Sequence, residues 1–169
     1  GKGKTQNAYL FAYRRGEIAE PPIIVYDFAE SRSGANARRF LADYGGALWE
    51  LSRGCPFTCD FCFESRGTAG IRRVPMDRVE AELDLFAASG IREVFVLDPT
   101  FNYHKASAKQ VLRLIAVKAP DIHFFFEIRS EFIDREMAGL FAGIRCSLQI
   151  GLQSAHDKVL RNIGRSFDP

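Results

Sequence analysis

From Ala47 onward the chain repeats one rhythm: a short apolar run, a loop, then an amphipathic stretch. The apolar runs are Ala47–Ser52, Glu93–Leu97, Ile122–Ile128 and Cys146–Leu152. Glu93–Leu97 is mostly apolar rather than alternating, the pattern of a strand covered on both faces. The stretches between read as helices. Pro75 suits a helix start, Val79, Leu83, Phe86 and Ala87 then fall on one face, and Ser89-Gly90 ends it. Ala108, Val111, Leu112 and Ile115 line a second helix, with Pro120 just beyond. Asp134–Ala142 is a third, shut by Gly143, and a short helix through Ile163 is followed by Gly164. Strands alternating with helices predict parallel β-α units joined by right-handed crossovers. A complete eight-unit barrel typically takes about 250 residues. The chain has 169, so the expected α/β fold is a partial barrel of about four parallel β-α units over residues 47–169. Chemistry in such folds gathers at the C-terminal ends of the strands.

Residues 1–46 read as a linker or extension to that core. Ala8–Tyr13 is aromatic and apolar, and a turn at Arg15-Gly16 would pair it with Glu17–Ala19 as a hairpin ended by Pro21-Pro22. Ile23–Phe28 is expected to be extended and Ser31–Gly34 to be a loop. Asn36 would cap a short helix running to Tyr44, stopped by Gly45-Gly46.

Lysine plus arginine number 23 against 21 acidic residues, a net charge of +2. That balance gives no electrostatic case for nucleic acid or an anionic membrane. No apolar run approaches the roughly 20 residues of a membrane-spanning helix, and Gly1–Gln6 lacks the apolar centre of a signal peptide. A cytoplasmic setting with reduced thiols is the expectation.

Of 4 cysteines, three crowd into Arg53-Gly54-Cys55-Pro56-Phe57-Thr58-Cys59-Asp60-Phe61-Cys62, directly after a strand. The spacing is C-x3-C-x2-C. Thiolates are soft ligands that select iron–sulfur clusters, zinc or copper(I). Structural zinc is usually closed by four ligands, often as two C-x2-C pairs. No second pair exists here, and His104 and His123 have no ligand-like spacing. Three thiolates on a 4Fe–4S cube leave one iron open for a cofactor or substrate, whereas an electron-carrying cluster normally takes four protein ligands. Cys146 lies within a predicted strand and reads as a core cysteine.

At these residues the chain resembles the radical S-adenosylmethionine superfamily, whose signature is C-x3-C-x2-C with an aromatic, here Phe61, before the last cysteine. Glu50–Phe57 is similar to the branch that carries an N-terminal cobalamin-binding domain. The resemblance covers residues 47–169, roughly the first four of the family's six β-α units. The cobalamin domain and the rest of the barrel fall outside it. It implies that Cys55, Cys59 and Cys62 ligate a 4Fe–4S cluster, that S-adenosylmethionine binds the open iron, and that reductive cleavage yields a 5′-deoxyadenosyl radical. It further implies an external electron donor of the flavodoxin or ferredoxin type, an unspecified small-molecule substrate, and cobalamin in the full-length protein.

Site residues follow from the same resemblance. Asp98 and Thr100, in Leu97–Asn102, stand where the family often carries Gly-Gly-Glu to hold the methionine amino group; a turn around Pro99 accounts for them equally well. Glu127 closes the third strand after three phenylalanines, where related enzymes place a cofactor-contacting Glu; the alternative is a structural ion pair. Arg129, two residues on, is expected on the same face, as the partner of Glu127 or as a carboxylate clamp. Gln153, after the fourth strand, would face the ribose hydroxyls, with Gly151 permitting close approach. Arg165 would grip the methionine carboxylate or stand as a solvated helix-end cation. Two other readings remain open on the residues alone: a zinc- or cluster-stabilised structural or redox module, and a cofactor-binding fragment without turnover. An open edge at the fourth strand also invites self-association.

Overall fold

A computed structural model of the chain describes residues 8–11, 23–26, 45–62 and 70–165. Eight strands are present among them: β1 (Ala8–Phe11), β2 (Ile23–Tyr26), β3 (Gly46–Trp49), β4 (Ser52–Arg53), β5 (Arg72–Arg73), β6 (Glu93–Val96), β7 (His123–Ile128) and β8 (Cys146–Ile150). Four α-helices lie between or after them: α1 (Met76–Ser89), α2 (Lys105–Lys118), α3 (Arg135–Ala142) and α4 (Asp157–Asn162). A 3-10 turn, Ser130–Phe132, follows β7.

The main sheet runs β2-β1-β3-β6-β7-β8. Pairings β3–β6, β6–β7 and β7–β8 are parallel, as the strand–helix alternation predicts. β1 pairs antiparallel with β3 and with β2. The partner of β1 differs from the sequence expectation. Ala8 opposes Tyr26 and Phe11 opposes Ile23, so the return strand starts after Pro21-Pro22 rather than before it. Glu17–Ala19, expected to pair with β1, lie outside the described residues. The expected helix from Asn36 to Tyr44 lies outside the described residues. β4 and β5 form a separate two-stranded ribbon, Ser52 opposite Arg73, that flanks the cysteine loop.

The core lies between the sheet and its helices. Along β6 and β7 the buried residues alternate: Val94 and Val96, then Phe124, Phe126 and Ile128. They meet Val79, Leu83 and Phe86 of α1 and Ala108, Val111, Leu112 and Ile115 of α2. Ala87 does not join this face and is exposed. Glu82 is buried there instead, because the indole Nε1–H of Trp49 donates to its Oε2 at 2.7 Å and Arg78 holds its Oε1 at 2.7 Å. A buried carboxylate is tolerable only with such partners. Trp49 packs edge-on against Phe86 with ring centroids 5.5 Å apart. α1 stops at Gly90, whose φ of +73° is the left-handed conformation glycine takes without strain. Asp134 caps α3 by accepting the Met137 amide at 2.9 Å.

The opposite face of the sheet is largely uncovered among the described residues. Phe95 and Phe125 stack on it at 4.2 Å, beside Leu48, Leu97, Glu127 and Gln149 in a hollow of about 630 Å³. Among the described residues no helix is long and apolar enough to cross a membrane. Leu112→Ala, within the closed core, is expected to destabilise the chain by about 2–5 kcal/mol. Val117→Ala, at a site 81% exposed, is expected to stay within about 0.5 kcal/mol. Urea midpoints of the two variants check this.

Candidate cofactor cleft

The C-terminal ends of β3, β6, β7 and β8 open onto one cleft of about 170 Å³. Cys55, Cys59 and Cys62 line it together with Phe61, Thr100, Glu127, Arg129, Gln153 and Arg165. These residues come from distant parts of the sequence, and parallel strands bring them to one mouth, where such folds place their chemistry.

The cysteine loop is shaped by its own backbone. Gly54 takes a φ of +99°, and the Cys62 amide donates to the Cys59 carbonyl at 3.0 Å. The loop is also pinned from the far end of the chain. The Asp60 amide donates to the Ile163 carbonyl at 3.0 Å, and Gly164, at φ +66°, lies so close that a Cβ would stand 3.1 Å from the Thr58 carbonyl oxygen. None of the three cysteines is in a disulfide, and Cys59 is the most buried of them. Among the described residues no three His, Cys, Asp or Glu side chains gather as ligands of a single metal ion.

Glu127 and Gln149 are cross-strand neighbours in the β7–β8 ladder. Gly151 and Gln153 continue the line beyond β8. A Cβ on Gly151 would stand 2.7 Å from the Gln153 amide nitrogen, so only glycine admits that side chain as placed. Gln153 itself has a φ of +61°, the one non-glycine residue so placed among those described. Left-handed backbone costs a non-glycine residue roughly 1–2 kcal/mol, and such strain clusters at functional sites. Arg165 donates from Nη2 to the Gly151 carbonyl at 2.6 Å. It is therefore a half-buried wall of the cleft, not a solvated helix-end cation.

Three expectations change. Asp98 is not in the cleft. It is 3% exposed and turned toward the helix side of the sheet, where its Oδ1 accepts the amides of Leu51 and Ser52 at 2.8 and 3.0 Å and its Oδ2 accepts the Ser52 hydroxyl at 2.5 Å. Val94 and Val96 already set that side, and Asp98 keeps their period of two. Thr100 does reach the cleft, but its hydroxyl donates to the Pro99 carbonyl at 2.8 Å. Arg129 is not the partner of Glu127. β7 ends at Ile128 and the 3-10 turn swings the chain round, so Arg129 is buried and its Nε donates to Glu131 Oε1 at 2.5 Å. Cys146 is half-buried against the core, its thiol 3.5 Å from the Phe141 carbonyl and pushed up by burial, as expected of a structural cysteine.

The Radical SAM superfamily model matches residues 49–169. The chain belongs to this superfamily. A Transposase IS66 family model matches residues 1–50, under a third of the chain. Among curated relatives, a 2-(S-pantetheinyl)-carbapenam-3-carboxylate methyltransferase of Streptantibioticus cattleyicolor is 38% identical over 91 residues, 53% of this chain and 13% of that protein. An uncharacterized methyltransferase of Pyrococcus horikoshii is 31% identical over 121 residues, 70% of this chain and 26% of that protein. The fold is similar to the methyltransferase TsrM of Kitasatospora setae, solved with tryptophan and an S-adenosylmethionine analogue, at a TM-score of 0.65 and 21% identity over 94% of this chain and 30% of that one. It is also similar to the cobalamin-dependent enzyme OxsB, at a TM-score of 0.56 and 20% identity over 69% of this chain and 20% of that one. The chain thus spans about a quarter or less of the length of these two curated relatives.

Within this radical SAM core, sequence reasoning missed Phe57, Pro99, Ile128 and Gln149 as cleft residues. Gln149 was legible: it precedes Gly151 and Gln153 by the period of a strand. Burial pushes the Asp98 carboxyl up to about 6, against hydrogen bonds from Ser52 and Leu51 that pull it down. A pKa higher in the fold than in the unfolded chain means the fold favours the protonated acid. That contribution is complete below about pH 4 and is lost as pH rises through about 6. The metal-free chain is therefore expected to be more stable at pH 5 than at pH 7.5 by about 1–3 kcal/mol from this group. Denaturant titrations at both values should show this difference in the wild type, with the Asp98 share absent in Asp98→Asn.

Proposed function

We infer that this chain supplies the cluster- and S-adenosylmethionine-binding part of a cobalamin-associated radical SAM methyltransferase. The observation that carries this reading is the gathering of Cys55, Cys59 and Cys62 in one cleft with Phe61, Glu127, Gln153 and Arg165. Its methyl-transferring, cobalamin-linked character rests on the names of the relatives. The donor set fits an iron–sulfur cluster: three soft thiolates on one short loop, with oxygen and nitrogen donors across from them. When bound, the cluster supplies the single electron that cleaves S-adenosylmethionine, delivered by an external donor of the flavodoxin or ferredoxin type.

The chain's own residues hold and orient. Cys55, Cys59 and Cys62 would each ligate one iron and leave the fourth for the methionine amino and carboxylate groups. Arg165 gives one of its N–H groups to Gly151 and keeps others for a carboxylate, since a guanidinium carries five donors in a fixed fork. Glu127 is an acceptor for the cationic end of the ligand. Gln153, held in its strained backbone over Gly151, presents an amide to ribose hydroxyls. Phe61 is half-exposed at the cleft and gives the nucleoside an apolar wall. Asp98 stays behind the loop and fixes the backbone that leads into it.

Titration of the anaerobically reconstituted protein with S-adenosylmethionine tests the assignment. Glu127→Ala and Arg165→Ala should each weaken binding by about 1–3 kcal/mol, the range for hydrogen bonds to charged groups, with iron content unchanged. Gly151→Ala should also weaken it, by displacing the Gln153 side chain. Unchanged affinity in all three would place the cofactor elsewhere.

A further inference from the structure

Phe57 sits midway between Cys55 and Cys59 and is enclosed by side chains from two other loops. The guanidinium of Arg129 lies over its ring, 3.8 Å from the centroid. Tyr103 meets it edge-on at 5.6 Å, and Phe132 stacks on it at 5.9 Å. Arg129 is itself fixed from both ends. Its backbone amide and carbonyl bond the Asn102 side chain at 3.0 and 2.7 Å, and its Nε is paired with Glu131. The pair is costly. The Arg129 side chain is 7% exposed, that of Glu131 17%, and Glu131 Oε2 is buried without a hydrogen-bond partner among the described residues. A buried ion pair is weak evidence for stability, because well-packed apolar residues often serve as well or better. A methionine at 129 and an apolar residue at 131 would fill the same space. What they would not supply is a cation–π hold on the cysteine loop and a buried cation at the wall of the cleft.

We propose that Arg129 is a positioning residue for the cluster loop: through Phe57 it holds the Cys55–Cys59 turn in ligand-ready shape before metal arrives, and its charge, offset by Glu131, sets the potential of the bound cluster. The first half stands on the apo geometry. The second rests on the cluster reading of the proposed function. A reduced cluster carries one more negative charge than the oxidised one, so a neighbouring cation stabilises the reduced state and raises the potential. Glu131 opposes that effect and also aims the guanidinium. In this role Arg129 acts through the loop that holds the cluster.

Two measurements on the full chain test this. In hydrogen exchange of the metal-free protein, the amides of Asp60 and Cys62, which donate to Ile163 and Cys59, report loop order. Phe57→Ala and Arg129→Met should speed their exchange at least tenfold while the amides of β6 and β7 keep wild-type rates. Arg129→Lys, which keeps the cation and loses the planar stack, should fall between. After reconstitution, spectroelectrochemical titration should give a more negative potential for Arg129→Met and a more positive one for Glu131→Gln, two variants close in size to the residues they replace. Wild-type exchange in both Phe57→Ala and Arg129→Met would overturn the positioning role. Potentials unmoved, or moved in the same direction by both charge variants, would overturn the electrostatic role. If the wild type takes up no cluster, the proposed function and the electrostatic role fall together, and the exchange result still decides the anchoring.

Discussion

The site depends on a carboxylate that never reaches it. Asp98 accepts the amides of Leu51 and Ser52, the last residue before the ribbon strand β4 and the first within it, on the way into the cysteines. A buried carboxylate with three donors directed at it fixes that stretch more firmly than apolar packing could, since each unsatisfied donor left behind would carry a desolvation cost of about 1–3 kcal/mol. Four residues further on, Asn102 bonds both backbone groups of Arg129, and between them Phe101 donates its amide to the Glu127 carbonyl at 3.0 Å. Leu97 likewise donates to the Trp49 carbonyl at 2.8 Å. The segment from Leu97 to Asn102 therefore ties the strand end on its left to the strand end on its right. The cysteine loop and the Glu127–Arg129 end of β7 are held in register with each other through it.

This arrangement separates framework from chemistry. On the helix side of the sheet, Val94, Val96, Asp98, Phe124, Phe126 and Ile128 are buried and structural. On the opposite side, Phe95, Leu97, Phe125, Glu127 and Gln149 face the hollow that runs into the cleft. The cofactor residues follow that face at the strand ends, and the last described turns, through Ile163 and Gly164, fold back to pin the cysteine loop. Residues 51–62 thus have holds on three sides: Asp98 behind Leu51 and Ser52, Phe57 in its aromatic and cationic cup, and the turn after α4.

Much of this was legible in the sequence, for physical reasons that can be named. The cysteine spacing and its place after a strand needed no structure. The period of 3.6 gave Ala108, Val111, Leu112 and Ile115 as the buried face of α2, and alternating elements gave the parallel core. The family resemblance placed Glu127 and Gln153 at the strand ends, and both line the cleft. Strand periodicity carried on from Val94 and Val96 sends Asp98 to the helix side, in keeping with the turn reading rather than the cofactor one. Arg129 lines the cleft but pairs with Glu131 rather than Glu127. The rule was applied one residue past the end of β7, where the 3-10 turn had already broken the alternation. Ala87 lost its place to Glu82 because a long-range bond from Trp49 outweighed helical hydrophobicity, and nothing local signals such a bond.

The most direct test of the account is the iron and acid-labile sulfide content after anaerobic reconstitution, read for the wild type and each cysteine variant. The account predicts about four irons and four sulfides per chain. It predicts loss of the intact cluster in Cys55→Ala, Cys59→Ala and Cys62→Ala, and full retention in Cys146→Ala. A full cluster in Cys59→Ala, or one zinc and no sulfide in the wild type, would contradict it.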